Sequence, residues 1–249
     1  MWGIVPAAGA GSRLQPLAFS KELLPVGSTL DGEAERPRAV SEYIVERMIL
    51  GGADRICFVV APGKADILEY YGNRACTAHI SFTVQQRPAG LCDAVFQVLP
   101  LIRADEFVIV GLPDTIWFPA DALRHLGDDP FSFLLFPVDR PERFDAVLTD
   151  RSGWVREIRV KQPDPGTSWI WGAFKLSGRT MRALFELWCE RERRDEYMGT
   201  LVNAYLAAGG EAAGVRAGEA YFDVGTLNGY REAIQVLSPR PAASQEAVA

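Results

Sequence analysis

Histidine is nearly absent, and that absence narrows the chemistry first. Only His79 and His125 occur in 249 residues, in strand and helix contexts, which leaves little for a catalytic triad or a histidine-ligated metal. Cysteine is also sparse. Cys57, Cys76, Cys92 and Cys189 form no C-x-x-C pair, and their spacing matches neither a zinc site nor a disulfide framework, so they read as buried thiols in a reducing compartment. Basic charge is not in excess. The formal net charge of -6 argues against a nucleic-acid partner, because binding many phosphates needs a basic surface. No apolar run approaches the roughly 20 residues of a membrane span. Met1-Trp2-Gly3-Ile4-Val5-Pro6 also lacks the basic region of a leader. The expectation is a cytoplasmic protein with no membrane partner.

What is present is enough apolar material for one substantial core, at 48% hydrophobic residues. Strand and helix patterns alternate through the first half. Residues 2–7 read as strand, 39–50 as helix after a long loop, 56–61 as strand and 65–71 as helix; 79–85, 90–99 and 106–111 follow as strand, helix and strand. This order predicts a single-domain α/β fold: a Rossmann-like, mostly parallel sheet flanked by helices, with ligands beyond the strands' C-terminal ends. After Asp114 the pattern becomes β-rich over 131–138, 145–149, 154–161 and 168–176. Helices are predicted over 178–191 and 195–208, and a strand, turn and helix over 220–236. That half is expected to complete the sheet and add a β-rich, substrate-facing layer. The domain is placed at residues 1–237, with 238–249, rich in Pro, Ala and Ser, as a disordered tail.

The first strand runs into Val5-Pro6-Ala7-Ala8-Gly9-Ala10-Gly11-Ser12-Arg13-Leu14. Small residues here let backbone N–H groups approach a polyphosphate. Arg13 offers a planar fork for phosphate oxygens, and Lys21, eight residues later, a compact second charge. Two rival loops fail. A dinucleotide fingerprint needs a third glycine where Leu14 stands, and an immediate helix that Pro16 forbids. A Walker loop needs G-x-x-x-x-G-K-[ST], which is absent.

Ala8 through Pro16 and Ser20 through Pro25 resemble the loop A-G-x-G-[ST]-R-[LM]-x-P and the following [SP]-K-x-[LM]-L-P of the sugar-1-phosphate nucleotidyltransferases. That family includes glucose-1-phosphate thymidylyltransferases and uridylyltransferases. The interval from Arg13 to Lys21 is about two residues shorter than is usual there. The resemblance implies that Ala8, Gly9, Gly11 and Ser12 bind a nucleoside triphosphate, dTTP or UTP. It also implies that Arg13 and Lys21 are catalytic and that the second substrate is a sugar 1-phosphate, glucose 1-phosphate foremost.

Two anionic reactants need positioning and charge neutralisation, and Mg²⁺ held by carboxylates is the usual device. Asp114 is the first carboxylate after the apolar strand ending at Gly111. It resembles the family's metal-binding G-D, with Pro113 where glycine is usual; a turn cap is the alternative. Asp223 in Phe222-Asp223-Val224-Gly225-Thr226 resembles the family's W-x-D-[TIV]-G-T and is the second metal candidate, with capping of the last helix, by it or by Thr226, as the alternative.

Gln85, Pro88 and Gly90 match Q-x-x-[PA]-x-G-L-x-x-A. The resemblance makes Gln85 the reader of a pyrimidine edge, with Gly90 leaving room for the base. The family's E-K-P corresponds to Val160-Lys161-Gln162-Pro163. Lys161 is thus displaced by one position and the glutamate is missing. Lys161 and Gly172 are the candidates for the sugar phosphate and the sugar pocket, against an edge-strand lysine and aromatic packing. A cytidylyltransferase acting on an alcohol phosphate or phosphocholine, and a non-catalytic nucleotide or sugar binder, are the rival functions. A homo-oligomer is compatible with the sequence, and its state is not fixed by it.

Overall fold

The computed structural model describes residues 1–72 and 76–237; the predicted tail, 238–249, lies outside the described residues. In chain order the elements are β1 (Trp2–Pro6), β2 (Pro25–Asp31), β3 (Ala34–Ala39), α1 (Val40–Leu50), β4 (Arg55–Val60), α2 (Ala65–Gly72), β5 (His79–Val84), α3 (Gly90–Phe96), β6 (Phe107–Gly111) and β7 (Thr115–Phe118). They continue with β8 (Phe131–Pro137), β9 (Asp145–Thr149), β10 (Val155–Val160), β11 (Trp169–Ser177), α4 (Gly178–Glu190), α5 (Met198–Ala207), β12 (Ala213–Val215), β13 (Ala220–Asp223) and α6 (Leu227–Leu237).

One nine-stranded sheet runs in the order β10-β9-β11-β6-β1-β4-β5, with β8 also on β11 and β12 on β8. Strands β6, β1, β4 and β5 are parallel, Ile4 lying opposite both Cys57 and Val110. Their Val- and Ile-rich runs suit strands covered on both faces. On one face Ile4, Cys57, Val110 and Phe174 meet Val95, Met181, Trp188 and Leu201 from α3, α4 and α5. On the other, Val5, Phe58 and Phe136 meet Ile44 and Met48 from α1 and Ile67 from α2. Strand β11 pairs antiparallel with β6 and joins the parallel half to the antiparallel half. The expected completion of the sheet is present, and a separate ribbon, β7 with β13, lies off it.

Three local differences have clear causes. The predicted long loop before α1 contains the β2–β3 hairpin, whose exposed, charged and proline-containing segment carries no apolar alternation. Helix α3 stops at Phe96, and Pro100 sits in a separate 3-10 turn, Leu99–Leu101. Of the cysteines, Cys57 and Cys92 are buried, but Cys76 is exposed and Cys189 half-buried. Among the described residues, no helix is long and apolar enough to cross a membrane.

Candidate active site

In a parallel sheet the loops after the strands converge on one crevice. Here β1 supplies the glycine loop, β4 supplies Lys64, β5 supplies Gln85 and β6 supplies Asp114. Ala7 N–H donates to Val59 O at 2.7 Å, which carries the β1–β4 pairing to the loop's start. Ala8 is buried, whereas Gly9 is exposed with open space where a side chain would be. Gly11 has φ +66°, and its carbonyl accepts from Leu14 N–H at 3.0 Å. Ser12 is exposed beside it.

A single ammonium fixes this loop from beneath. Lys64 Nζ donates to Ala7 O (2.6 Å), Gly9 O (2.8 Å) and both Glu22 oxygens (2.8 and 2.9 Å). Glu22 is fully buried; burial pushes its carboxyl up and Lys64 pulls it back. Two residues on, Asp66 accepts from Ser20 N–H (2.6 Å) and Ser20 Oγ–H (2.7 Å). Neither Lys64 nor Asp66 belongs to a motif legible in the sequence. The available signal was Glu22 inside Ser20-Lys21-Glu22-Leu23-Leu24-Pro25, since an acid in an apolar segment needs a buried cation.

The ribbon places the two carboxylates side by side, because Asp223 is in register with Thr115, the residue after Asp114. Asp114 Oδ2 accepts from Lys21 Nζ at 2.5 Å, and Asp223 Oδ2 from Arg13 Nη1 at 3.1 Å. A β-carbon built on Gly225 would stand 2.5 Å from Asp114 Oδ2, 2.8 Å from Asp223 Oδ1 and 3.0 Å from Arg13 Nη2. Both acids and Arg13 therefore face one point that only glycine leaves open. Burial, then repulsion by Asp114, raises the Asp223 carboxyl above its ordinary value despite Arg13. Burial would lower the Lys21 ammonium, but the charge and hydrogen bond of Asp114 outweigh it.

The capping alternatives fall away. Thr226 Oγ1 accepts from Gly229 N–H at 3.1 Å and so caps α6, while Asp223 keeps its carboxylate for Arg13 and for Gly225 N–H at 3.0 Å. Asp114 takes Lys21, not a turn amide, among the described residues. Those residues contain no cluster of three metal-ligating side chains. Two converging carboxylates, one raised by burial and by its neighbour, fit a divalent ion, for which phosphate oxygens and water would supply the remaining ligands.

The remaining candidates divide. Gln85 is buried, and its Nε2 donates to Asp93 Oδ2 (2.6 Å) and Gly90 O (3.3 Å), while its carbonyl oxygen has no partner among the described residues. Pro88 is exposed. Gly90 has φ +87°, and a β-carbon there would lie 2.7 Å from Glu196 Cα and from Glu196 O. The side-chain direction at Gly90 is thus filled by the Glu196 backbone, so close packing by itself requires the glycine. Gly172 is buried, with Phe136 at 2.5 Å and Tyr221 at 2.8 Å from an ideal β-carbon position, and Tyr221 lines the adjacent cavity.

That cavity, about 1050 Å³, is lined by Arg13, Asp223, Tyr221, Phe144 and Lys161. Lys161 is exposed, with φ 47°; its N–H donates to Phe144 O at 3.0 Å, and its Nζ lies 3.3 Å from Tyr197 Oη and 4.4 Å from the ring centroid. The structure therefore brings Arg13, Asp223 and Lys161 to one cavity; the Lys21–Asp114 pair lies outside its lining and meets Arg13 and Asp223 at Gly225, the inner end. Gln85 and Gly90 are not among its lining residues.

The family described as nucleotidyl transferase matches residues 2–239. A UTP-glucose-1-phosphate uridylyltransferase of Haloferax volcanii is 26% identical over 70% of this chain and 70% of its own length. A glucose-1-phosphate thymidylyltransferase of Neisseria meningitidis is 27% identical over 94% of this chain and 81% of its own length. In other relatives the matched part falls to 40% of the relative's length. Among solved structures, a Bacillus anthracis protein described as a candidate glucose-1-phosphate thymidylyltransferase, in complex with sucrose, superimposes with a TM-score of 0.80 at 22% identity, covering 98% of this chain and 97% of that one. At that identity the likeness shows the fold.

Proposed function

The chain belongs to the nucleotidyl transferase family, and from that premise we propose that it transfers a nucleoside monophosphate from UTP or dTTP to a sugar 1-phosphate. The products are an NDP-sugar and pyrophosphate. One observation carries the reading: Arg13, Asp114 and Asp223 converge on the open point at Gly225, beside a glycine loop fixed by Lys64. In this reaction an oxygen of the sugar phosphate attacks the α-phosphorus. The new O–P bond forms as the α–β bridging bond breaks, and pyrophosphate leaves with the electron pair. The attacking oxygen is ionised near neutral pH, so no side chain needs to accept a proton.

Each residue then has a task. The exposed amides of Gly9 to Ser12 bind the triphosphate, and Arg13, exposed and held only at 3.1 Å, turns its fork to phosphate oxygens. Lys21 is buried against Asp114 and holds its charge at the inner end. Asp114 and Asp223 would hold Mg²⁺, which when bound neutralises phosphate charge. Lys161 receives the acceptor phosphate across the cavity. Gln85, whose Nε2 is committed to Asp93, presents only an acceptor. That matches the N3–H of uracil or thymine and mismatches the bare N3 of cytosine.

The relatives named for UTP and for thymidylyl transfer to glucose 1-phosphate support this substrate class. The test is pyrophosphate release with UTP, dTTP, CTP, ATP and GTP against a set of sugar 1-phosphates in Mg²⁺. Release with UTP or dTTP is expected. A preference for CTP would overturn the base assignment, and nucleotide binding without release from any pair would make the chain a non-catalytic binder.

A further inference from the structure

The cavity offers two arginines beyond the cations that the reacting phosphate of a sugar 1-phosphate uses. Arg140 and Arg143 line it together with Lys161, yet neither guanidinium forms a hydrogen bond or ion pair among the described residues. Arg140 precedes and Arg143 ends one short 3-10 turn, Pro141–Arg143. Arg143 N–H donates to Arg140 O (3.2 Å) and Phe144 N–H to Pro141 O (3.0 Å). Phe144 sets its ring edge-on to Tyr221, with centroids 5.8 Å apart. The Lys161 amide, bonded to Phe144 O, ties the third cation to the same turn. Four acids line the cavity as well: Asp223 is engaged by Arg13, and Asp139, Glu219 and Glu232 pair with none of these three cations among the described residues.

At the inner end the charges already balance, Arg13 with Asp223 and Lys21 with Asp114. In the transfer reading the acceptor's reacting phosphate lies next to the α-phosphorus, with Arg13 and Lys161 of the same cavity as its cations. A neutral sugar ring would leave Arg140 and Arg143 facing hydroxyl groups only. Arginine forks are suited to carboxylate and phosphate instead.

We propose that Arg140 and Arg143 form a second anion subsite, so that the preferred acceptor is a sugar 1-phosphate carrying a further carboxylate or phosphate on its ring. The inference rests on the nucleotidyl-transfer reading and narrows its substrate class. The two chemical sources of the second anion are separated by experiment.

Pyrophosphate release is measured with UTP or dTTP and Mg²⁺ for three acceptors: glucose 1-phosphate, glucuronic acid 1-phosphate and glucose 1,6-bisphosphate. Acceptor binding is measured in parallel by calorimetry, for the wild type and for the double variant Arg140→Ala, Arg143→Ala. Both side chains are exposed and unpaired, so the variant keeps the fold. At least one acidic acceptor is expected to exceed glucose 1-phosphate in kcat/KM by about tenfold or more, the worth of one charge-assisted contact. Which one does so identifies the second anion as carboxylate or phosphate. The double variant should abolish that advantage and keep turnover of glucose 1-phosphate within about twofold.

Equal or better use of glucose 1-phosphate by the wild type would overturn the inference, and so would a variant that slows all three acceptors alike. If no acceptor turns over, the transfer reading falls and calorimetry decides the subsite separately. Tighter binding of an acidic acceptor, lost in the variant, supports it; equal binding of all three by both proteins sinks it.

Discussion

The two ends of the crevice are built differently. At the end formed by β1, β4 and β6, nearly every charged group is engaged: Lys64 with Glu22 and two carbonyls, Asp66 with Ser20, Lys21 with Asp114, Arg13 with Asp223. At the end formed by the antiparallel strands, Lys161 rests on Tyr197, and Arg140 and Arg143 have no partner among the described residues. The first end is held in place by these pairs before a ligand arrives, with Arg13 the exposed donor that turns, and a fixed polar frame is the arrangement that stabilises developing charge. The second keeps its charges available and leaves choice of ligand to them. A fold can thus hold the common step rigid and vary the acceptor through short loops on one scaffold.

The comparison breaks most visibly if the paired end is disarmed. Asp114→Asn keeps the shape beside Lys21 but removes the charge, and turnover should fall on the order of 10³-fold with the fold intact. A steady-state rate beside a circular dichroism melt checks both halves. A variant within tenfold of wild type would remove Asp114 from the site. Lys64→Ala should act on stability instead. It leaves Glu22 buried and unpaired, a loss of about 3 kcal/mol read by urea unfolding. The double change Lys64→Met with Glu22→Leu should recover part of it, because the uncompensated charge is then gone. Arg13→Ala removes an exposed fork and should cost about 10²-fold in kcat with little change in stability.

These residues also show where the sequence was legible. Glycine, Arg13, Lys21, Asp114 and Asp223 stood in recognisable segments, and the continuous apolar runs of β1, β4 and β6 announced buried parallel strands. The adjacency of Asp114 and Asp223 was not legible, because β7 is four residues closed by Pro119, and its partner is a hundred residues away. Gly90 and Gly172 are legible only in part, for a general reason. A missing side chain marks a close approach without saying whether a ligand, a backbone such as that of Glu196, or a ring such as that of Phe136 makes it. Lys64 was invisible because its role depends on four acceptors contributed by separate segments.

The open end should respond more gently and more selectively. Lys161→Ala is expected to raise KM for the sugar phosphate about tenfold, the value of one charge-assisted contact, while KM for the nucleotide stays unchanged. Initial rates with each substrate varied in turn make the measurement. A parallel rise in both constants would place Lys161 on the shared triphosphate and erase the division between the two ends.

The smallest expected effect sharpens the comparison from the stability side. The Asp223 carboxyl is raised by burial and by Asp114, so the folded protein holds that proton more tightly than the unfolded chain does. Stability therefore declines as pH rises from the ordinary aspartate range through the folded value, and at neutral pH the charged Asp223 is a net liability to folding. Asp223→Asn is neutral at every pH, and its single carbonyl oxygen can keep the contact with Gly225 N–H while its amide nitrogen gives up the one with Arg13. It should raise Tm by at most a few degrees near pH 7, with the gain vanishing below the ordinary aspartate range, while turnover is lost. Differential scanning calorimetry at acid and neutral pH reads the sign. A lower Tm at pH 7 would mean that the Arg13 pair outweighs desolvation, so that the engaged end would be held for stability as well as for chemistry.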